Sequence, residues 1–96
     1  MRLVIRAAAA DDIAAAEAWY EEQGGDLAAC FLLAVHDVLG SILEHPRMYP
    51  VTHRDVRRAL VTRFPYVIFF RLAGAEVRIV GCFHAHRDPR TWSRHR

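Results

Sequence analysis

The chain has 96 residues, 53% of them hydrophobic and 25% charged, with a formal net charge of +2. That length makes one domain, and that composition excludes a disordered chain. A domain of this size buries only about 60–65% of the surface its unfolded chain exposes, so its stability margin is thin and a bound partner adds to it.

The charge is unevenly spread. Residues 1–46 hold two arginines against eight acids, a net −6, while residues 47–96 hold eleven arginines against three acids, a net +8. Such asymmetry points to an anionic partner for the second half. The plainer alternative is a solvated basic sheet edge that deters edge pairing. There is no lysine and no asparagine. Arginine differs from lysine in binding phosphate or carboxylate through a planar two-toothed fork.

In chain order, Leu3-Val4-Ile5 between Arg2 and Arg6 predicts a short edge strand. Residues 1–10 have a positive residue and four alanines, but Arg6 breaks the apolar stretch and Asp11-Asp12 follow, so the segment is read as part of the fold and not as a secretory leader. Ala8 to about Gln23 predicts an alanine-rich helix with Asp11 and Asp12 in its first turn and Ile13, Ala16 and Tyr20 on one face. Gly24-Gly25 stops it. Asp26 is a suitable N-cap for a second helix. Leu27, Phe31, Val35, Val38 and Ile42 recur at steps of four, four, three and four, with Leu39 and Leu43 widening the stripe. His45-Pro46 ends it, because the residue before proline is pushed out of helical geometry. The two helices form a hairpin.

Arg47 to Arg54 reads as a loop. Asp55–Thr62 alternates Val56, Arg58 and Leu60 on one face with Arg57, Ala59 and Val61 on the other. Arg63, Phe64 and Pro65 turn the chain. Tyr66–Leu72 is apolar on both faces, as a central strand is. Ala73-Gly74-Ala75 is a tight turn, and Glu76–Phe83 a second apolar strand. His84–Arg96 is a polar, basic tail. The expected architecture is a single α+β domain over residues 1–96, ordered β-α-α-β-β-β, with the helical hairpin on one face of a small, mainly antiparallel sheet. No apolar run of membrane-spanning length and no internal repeat is read here, so no membrane partner is expected.

Chemistry-bearing residues are sparse. Cys30 and Cys82 sit in apolar runs and read as reduced core residues, which fits a cytoplasmic setting. His84, His86 and the nearby His95 have no standard zinc spacing, so no metal is expected. No glycine-rich phosphate loop or nucleophile elbow occurs, and no cofactor is expected. Metal-free RNA cleavage needs an acid, a base and cations around the phosphate. His84, His86 and His95 supply the first two and Arg58, Arg63, Arg78 and Arg87 the third, with Tyr66 or Trp92 to stack a base. A protein partner is the other reading: arginine and tryptophan dominate binding hot spots, and Trp92 in the arginine-rich tail is a natural anchor. An acidic peptide would pair with Arg57, Arg58 and Arg71.

The run Arg57-Arg58-Ala59-Leu60, then Arg63-Phe64-Pro65-Tyr66-Val67-Ile68-Phe69-Phe70-Arg71, then Val77–Phe83 and His84-Ala85-His86-Arg87-Asp88-Pro89-Arg90-Thr91-Trp92, resembles the RelE/ParE superfamily of bacterial type II toxins. The leading strand, helical hairpin and Pro46 fit as well, so the resemblance spans the chain. It implies a cytoplasmic toxin that forms a hetero-oligomer with a small antitoxin and is neutralised by it. It also implies one of two targets: DNA gyrase, poisoned by ParE-like members, or mRNA on the ribosome, cut by RelE-like members. RelE-like cleavage relies on lysines, arginines and a tyrosine near the C-terminus. This chain has no lysine, and its last tyrosine is Tyr66. The resemblance therefore leans to the ParE-like branch, a binding inhibitor and not an enzyme. The residues implied for antitoxin or target binding are Arg57, Arg58, Arg63, Arg71, Arg78, Arg87, Arg90 and Trp92. The alternatives are a ribonuclease using Arg58, His84, His86 and Arg87, and a non-toxic module that retains only antitoxin binding.

Overall fold

A computed structural model describes residues 1–86 of the chain. Strand β1 (Arg2–Ile5) leads into helix α1 (Ala7–Gln23) and helix α2 (Leu27–Glu44). A short 3-10 turn at Pro46–Met48 follows, then strands β2 (Val51–His53), β3 (Val56–Leu60), β4 (Tyr66–Ala73) and β5 (Glu76–His84). The strands form one sheet in the order β1-β5-β4-β3-β2. β1 runs parallel to β5, and the other neighbours are antiparallel. This is the expected α+β arrangement with one strand more: β2 lies where a loop was expected. Three residues between Pro50 and Arg54 are too few to show an alternating pattern.

The helices begin and end for reasons the sequence carries, with two differences. α1 starts at Ala7, so Asp11 and Asp12 lie in its second turn and the first turn has no acid. Gly24 and Gly25 take positive φ, 83° and 65°, and the Gly24 N–H closes the helix onto the Glu21 carbonyl. Asp26 precedes α2 as expected, but its side chain makes no capping hydrogen bond. His45 ends α2 and Pro46 opens the 3-10 turn.

The core lies between the hairpin and one face of the sheet. Phe31, Val35, Val38, Leu39 and Ile42 of α2 and Ala9, Ala16 and Tyr20 of α1 pack against Ala59, Tyr66, Ile68, Phe70, Val77, Ile79 and Cys82. At one end, Tyr20, Phe31, Phe64 and Tyr66 form a ring cluster with centroids 5.1–6.2 Å apart, mostly edge to face. The expected α2 stripe is buried except for Leu27, the first residue of the helix, which is 42% exposed, and Leu43, which is partly buried. α2 is also long and apolar enough to cross a membrane by length and composition, with mean hydropathy 1.7 over 18 residues. That corrects the expectation that no such run exists. Here its Phe31, Val35 and Ile42 fill the interior as a core helix.

β5 shifts register against β4 between the Phe69–Gly81 and Phe70–Ile79 pairs, leaving Val80 as the extra residue. Gly81 lies beside this bulge, and a Cβ there would lie 2.6 Å from Cε2 of Phe83, so a side chain at this position has to displace that ring. β1 pairs with β5 only as far as Ile79. Beyond it, α1 takes over the edge: Oδ2 of Asp12 accepts a hydrogen bond from the Cys82 backbone N–H at 3.1 Å. A strand donor left without a β partner is thereby satisfied.

Candidate functional site

Alternation along the strands separates the arginines by face. On the face away from the helices β1 presents Arg2, β5 presents Glu76 and Arg78, β4 presents Phe69 and Arg71, and β3 presents Arg58 and Leu60. Arg71 and Arg78 are direct cross-strand partners. Like charges placed so repel. Each is therefore held by its own acid. Oδ2 of Asp55 accepts from Nε and Nη2 of Arg71 at 3.2 and 3.0 Å, and Oε1 of Glu76 accepts from Nε of Arg78 at 3.1 Å. The other oxygen of Glu76 accepts from Arg2. The bond from Arg71 holds the Asp55 carboxyl below the usual carboxylate range, and those from Arg78 and then Arg2 do the same for Glu76. Arg58 is exposed and has no ion pair among the described residues. Val56, Val67, Val80 and Phe83 also belong to this face; they are buried but lie outside the helix-packed core. Leu60 is 61% exposed at their margin.

Arg57 points the other way. Its Nη1 donates to the carbonyls of Tyr49 at 2.7 Å and Arg47 at 3.4 Å. It thus ties the segment after α2 to β3, while the Tyr49 hydroxyl bonds Ser41 of α2 at 2.6 Å and its ring packs on Phe70. Arg57 is a strut within the fold, on the opposite face from Arg58 and Arg71. Arg63 occupies the β3–β4 turn with φ 72°, a left-handed conformation that residues with a Cβ seldom adopt. It helps to line a groove of about 370 Å³ against α2, with Cys30, Leu33, Asp37 and Phe64. A second groove, about 380 Å³, lies between the end of α1 and the ends of β4 and β5, lined by Trp19, Tyr20, Pro65, Tyr66, His84 and His86.

His84 is the cross-strand partner of Tyr66, and their rings are 5.4 Å apart. The His86 ring lies 5.5 Å from that of His84, tilted by 55°, and the His86 backbone N–H donates to His84 Nδ1. Both imidazoles therefore lie on the helix side, and the sheet separates them from Arg58. Arg58, His84 and His86 do not converge on one phosphate. Arg87, Arg90 and Trp92 lie outside the described residues.

The cysteines divide. Cys82 is buried, and its burial, followed by the charge of Asp12, pushes the thiol up to about 12, so it stays protonated. Cys30 is exposed at the first groove, correcting the expectation of a core residue. Both cysteines are free thiols. Among the described residues no three His, Cys, Asp or Glu side chains gather to hold a metal ion. Sequence reading missed Trp19, 53% exposed, and Leu33, 65% exposed. The available signal was large apolar residues off the core-facing stripes of both helices.

Known proteins resemble the chain in sequence and in fold. A family described as the ParE toxin of the type II toxin-antitoxin system, parDE, matches residues 3–89. No curated protein matches it. Among solved structures, a chain of the chromosomal ParDE TA system from P. aeruginosa superposes with a TM-score of 0.69 at 25% identity, covering 90% of this chain and 97% of that one.

Proposed function

The chain belongs to the ParE toxin family of type II toxin-antitoxin systems, and from that premise we propose that it acts by binding: it poisons DNA gyrase and is neutralised by a cognate antitoxin in the cytoplasm. The observation that carries this reading is the arginine face of the sheet, where Arg2, Arg58, Arg71 and Arg78 stand together while the His84 and His86 imidazoles lie on the helix side. A phosphate-cleaving site needs a proton donor and acceptor within reach of the cations. A docking surface needs only the cations. The absence of lysine supports the same reading.

The antitoxin is an acidic chain in this proposal, and part of its affinity is screened by salt, as for any contact to exposed arginines. The apolar groove beside α2, with Leu33 and Phe64 in its wall and Arg63 at its rim, suits an amphipathic segment of that partner.

Gyrase supercoiling and DNA-cleavage assays with the purified protein test the target. The expected result is accumulation of cleaved DNA at toxin doses that stop growth, reversed by the antitoxin. Unimpaired supercoiling at doses that kill, with new mRNA ends after induction, would overturn the reading in favour of a ribonuclease. Harmless expression without antitoxin would leave only the binding module.

A further inference from the structure

We propose that the arginine face contacts duplex DNA directly, through its phosphate backbone. The proposal rests on the gyrase reading for its setting, because gyrase presents a held duplex to whatever docks on it.

The geometry points to a row of phosphates. Arg2, Arg78, Arg71 and Arg58 come from four successive strands, β1, β5, β4 and β3, on one face. Neighbouring strands are about 4.8 Å apart, and the register sets Arg2 and Arg58 two residues to either side of the Arg78–Arg71 pair, so the band runs diagonally over about 20 Å. Such a band is long enough to follow several successive phosphates, since duplex DNA carries one negative charge per about 1.7 Å of its axis. Arg71 and Arg78 oppose each other directly, an arrangement unfavourable to the sheet itself. Their acids, Asp55 and Glu76, hold them through solvent-exposed ion pairs, which bind weakly and give way to a stronger anion. Arg58 has no acid to surrender among the described residues. A guanidinium fork meets a phosphate through two parallel bonds.

An acidic peptide fits this face less well. Peptides gain affinity from sheet edges or from pockets for side chains. The arginine band crosses β4 and β5, which are interior strands, and the two grooves described above open on the helix side. Phosphates need only exposed cations at suitable spacing.

The test is fluorescence anisotropy of a 20-base-pair duplex with the full, antitoxin-free protein at several salt concentrations, with polyglutamate as the acidic-peptide probe. Wild type is expected to bind with Kd on the order of 10⁻⁴–10⁻⁶ M, weakening as salt rises. Arg58→Gln and Arg78→Gln should each lower the salt slope by about 1 and act together in the double variant. Arg6→Gln, at the start of α1, should change nothing, and thermal melting reports that each variant is folded. Duplex affinity unchanged in the double variant, or polyglutamate bound more tightly than duplex, overturns the proposal. The two readings fail separately. Duplex binding that depends on Arg58 and Arg78 without any trapped gyrase cleavage supports the contact and overturns the gyrase target. Cleavage trapped equally well by the double variant overturns the contact and leaves the target.

Discussion

On the helix side of the sheet, Ile68, Phe70, Val77 and Ile79 are fully buried under the hairpin. On the opposite side, the same strands hold Arg58, Arg71 and Arg78 with only two acids among them. The covered face maximises apolar burial, at about 25 cal/mol per Å² of surface removed from water. The other face buries Val56, Val67, Val80 and Phe83 as well, but it also places like charges opposite one another, which the sheet does not gain from. The difference teaches that one set of strands carries both a helix-packed core and a charged surface, because its side chains alternate between the two faces.

The largest expected break of that contrast is on the covered side. Phe70→Ala empties a fully buried site and should cost about 3–5 kcal/mol in denaturant unfolding. A loss under 1 kcal/mol would mean that the hairpin does not pack as described. Gly81→Ala tests the bulge between the faces. Its new methyl meets the ring of Phe83, and the displaced ring should cost about 1–3 kcal/mol. Asp12→Ala leaves the Cys82 N–H without its acceptor, and a drop of about 0.5–1.5 kcal/mol is expected, with faster exchange of that amide by NMR. Unchanged exchange there would refute the role given to Asp12.

On the arginine side the sign of interest changes. Arg58→Gln should move stability by no more than about 0.5 kcal/mol while weakening binding of target and duplex. Instability in that variant would make the face a structural one and erase the comparison. The smallest effect is in acid. Asp55 and Glu76 have folded-state pKa values below their unfolded ones. Their contribution is therefore present above the ordinary carboxylate range and is lost as pH falls through the lowered folded values. The melting difference between wild type and an Asp55→Asn, Glu76→Gln variant should shrink toward zero in acid. A difference that widened on acidification would contradict the ion pairs.

Much of the fold was legible because it rests on local period. The step of three and four from Phe31 to Ile42 gave α2, and unbroken apolar runs gave β4 and β5. β2 escaped because three exposed residues carry no pattern, and its pairing with β3 breaks register between Val51 and His53. Of the candidate site residues, Arg58, Arg71 and Arg78 share a face, and Arg57 does not. Alternation had already set Arg57 apart from Arg58 within one strand, but nothing in the sequence said that Arg57 would reach back to the Tyr49 carbonyl.

By itself the sequence determined the helices, the strand meander, the sign of charge on each half and, through its motifs, the family. These follow from neighbours along the chain, where the spacing of side chains is fixed by covalent geometry. Only the tertiary structure decided that β1 joins β5 in parallel, that Asp12 seals the edge β1 leaves open, that Cys30 is exposed while Cys82 is buried, and that His84 and His86 lie behind the sheet from Arg58. Each depends on residues far apart in the chain meeting in one register, and a shift of one residue in that register would have exchanged the two faces.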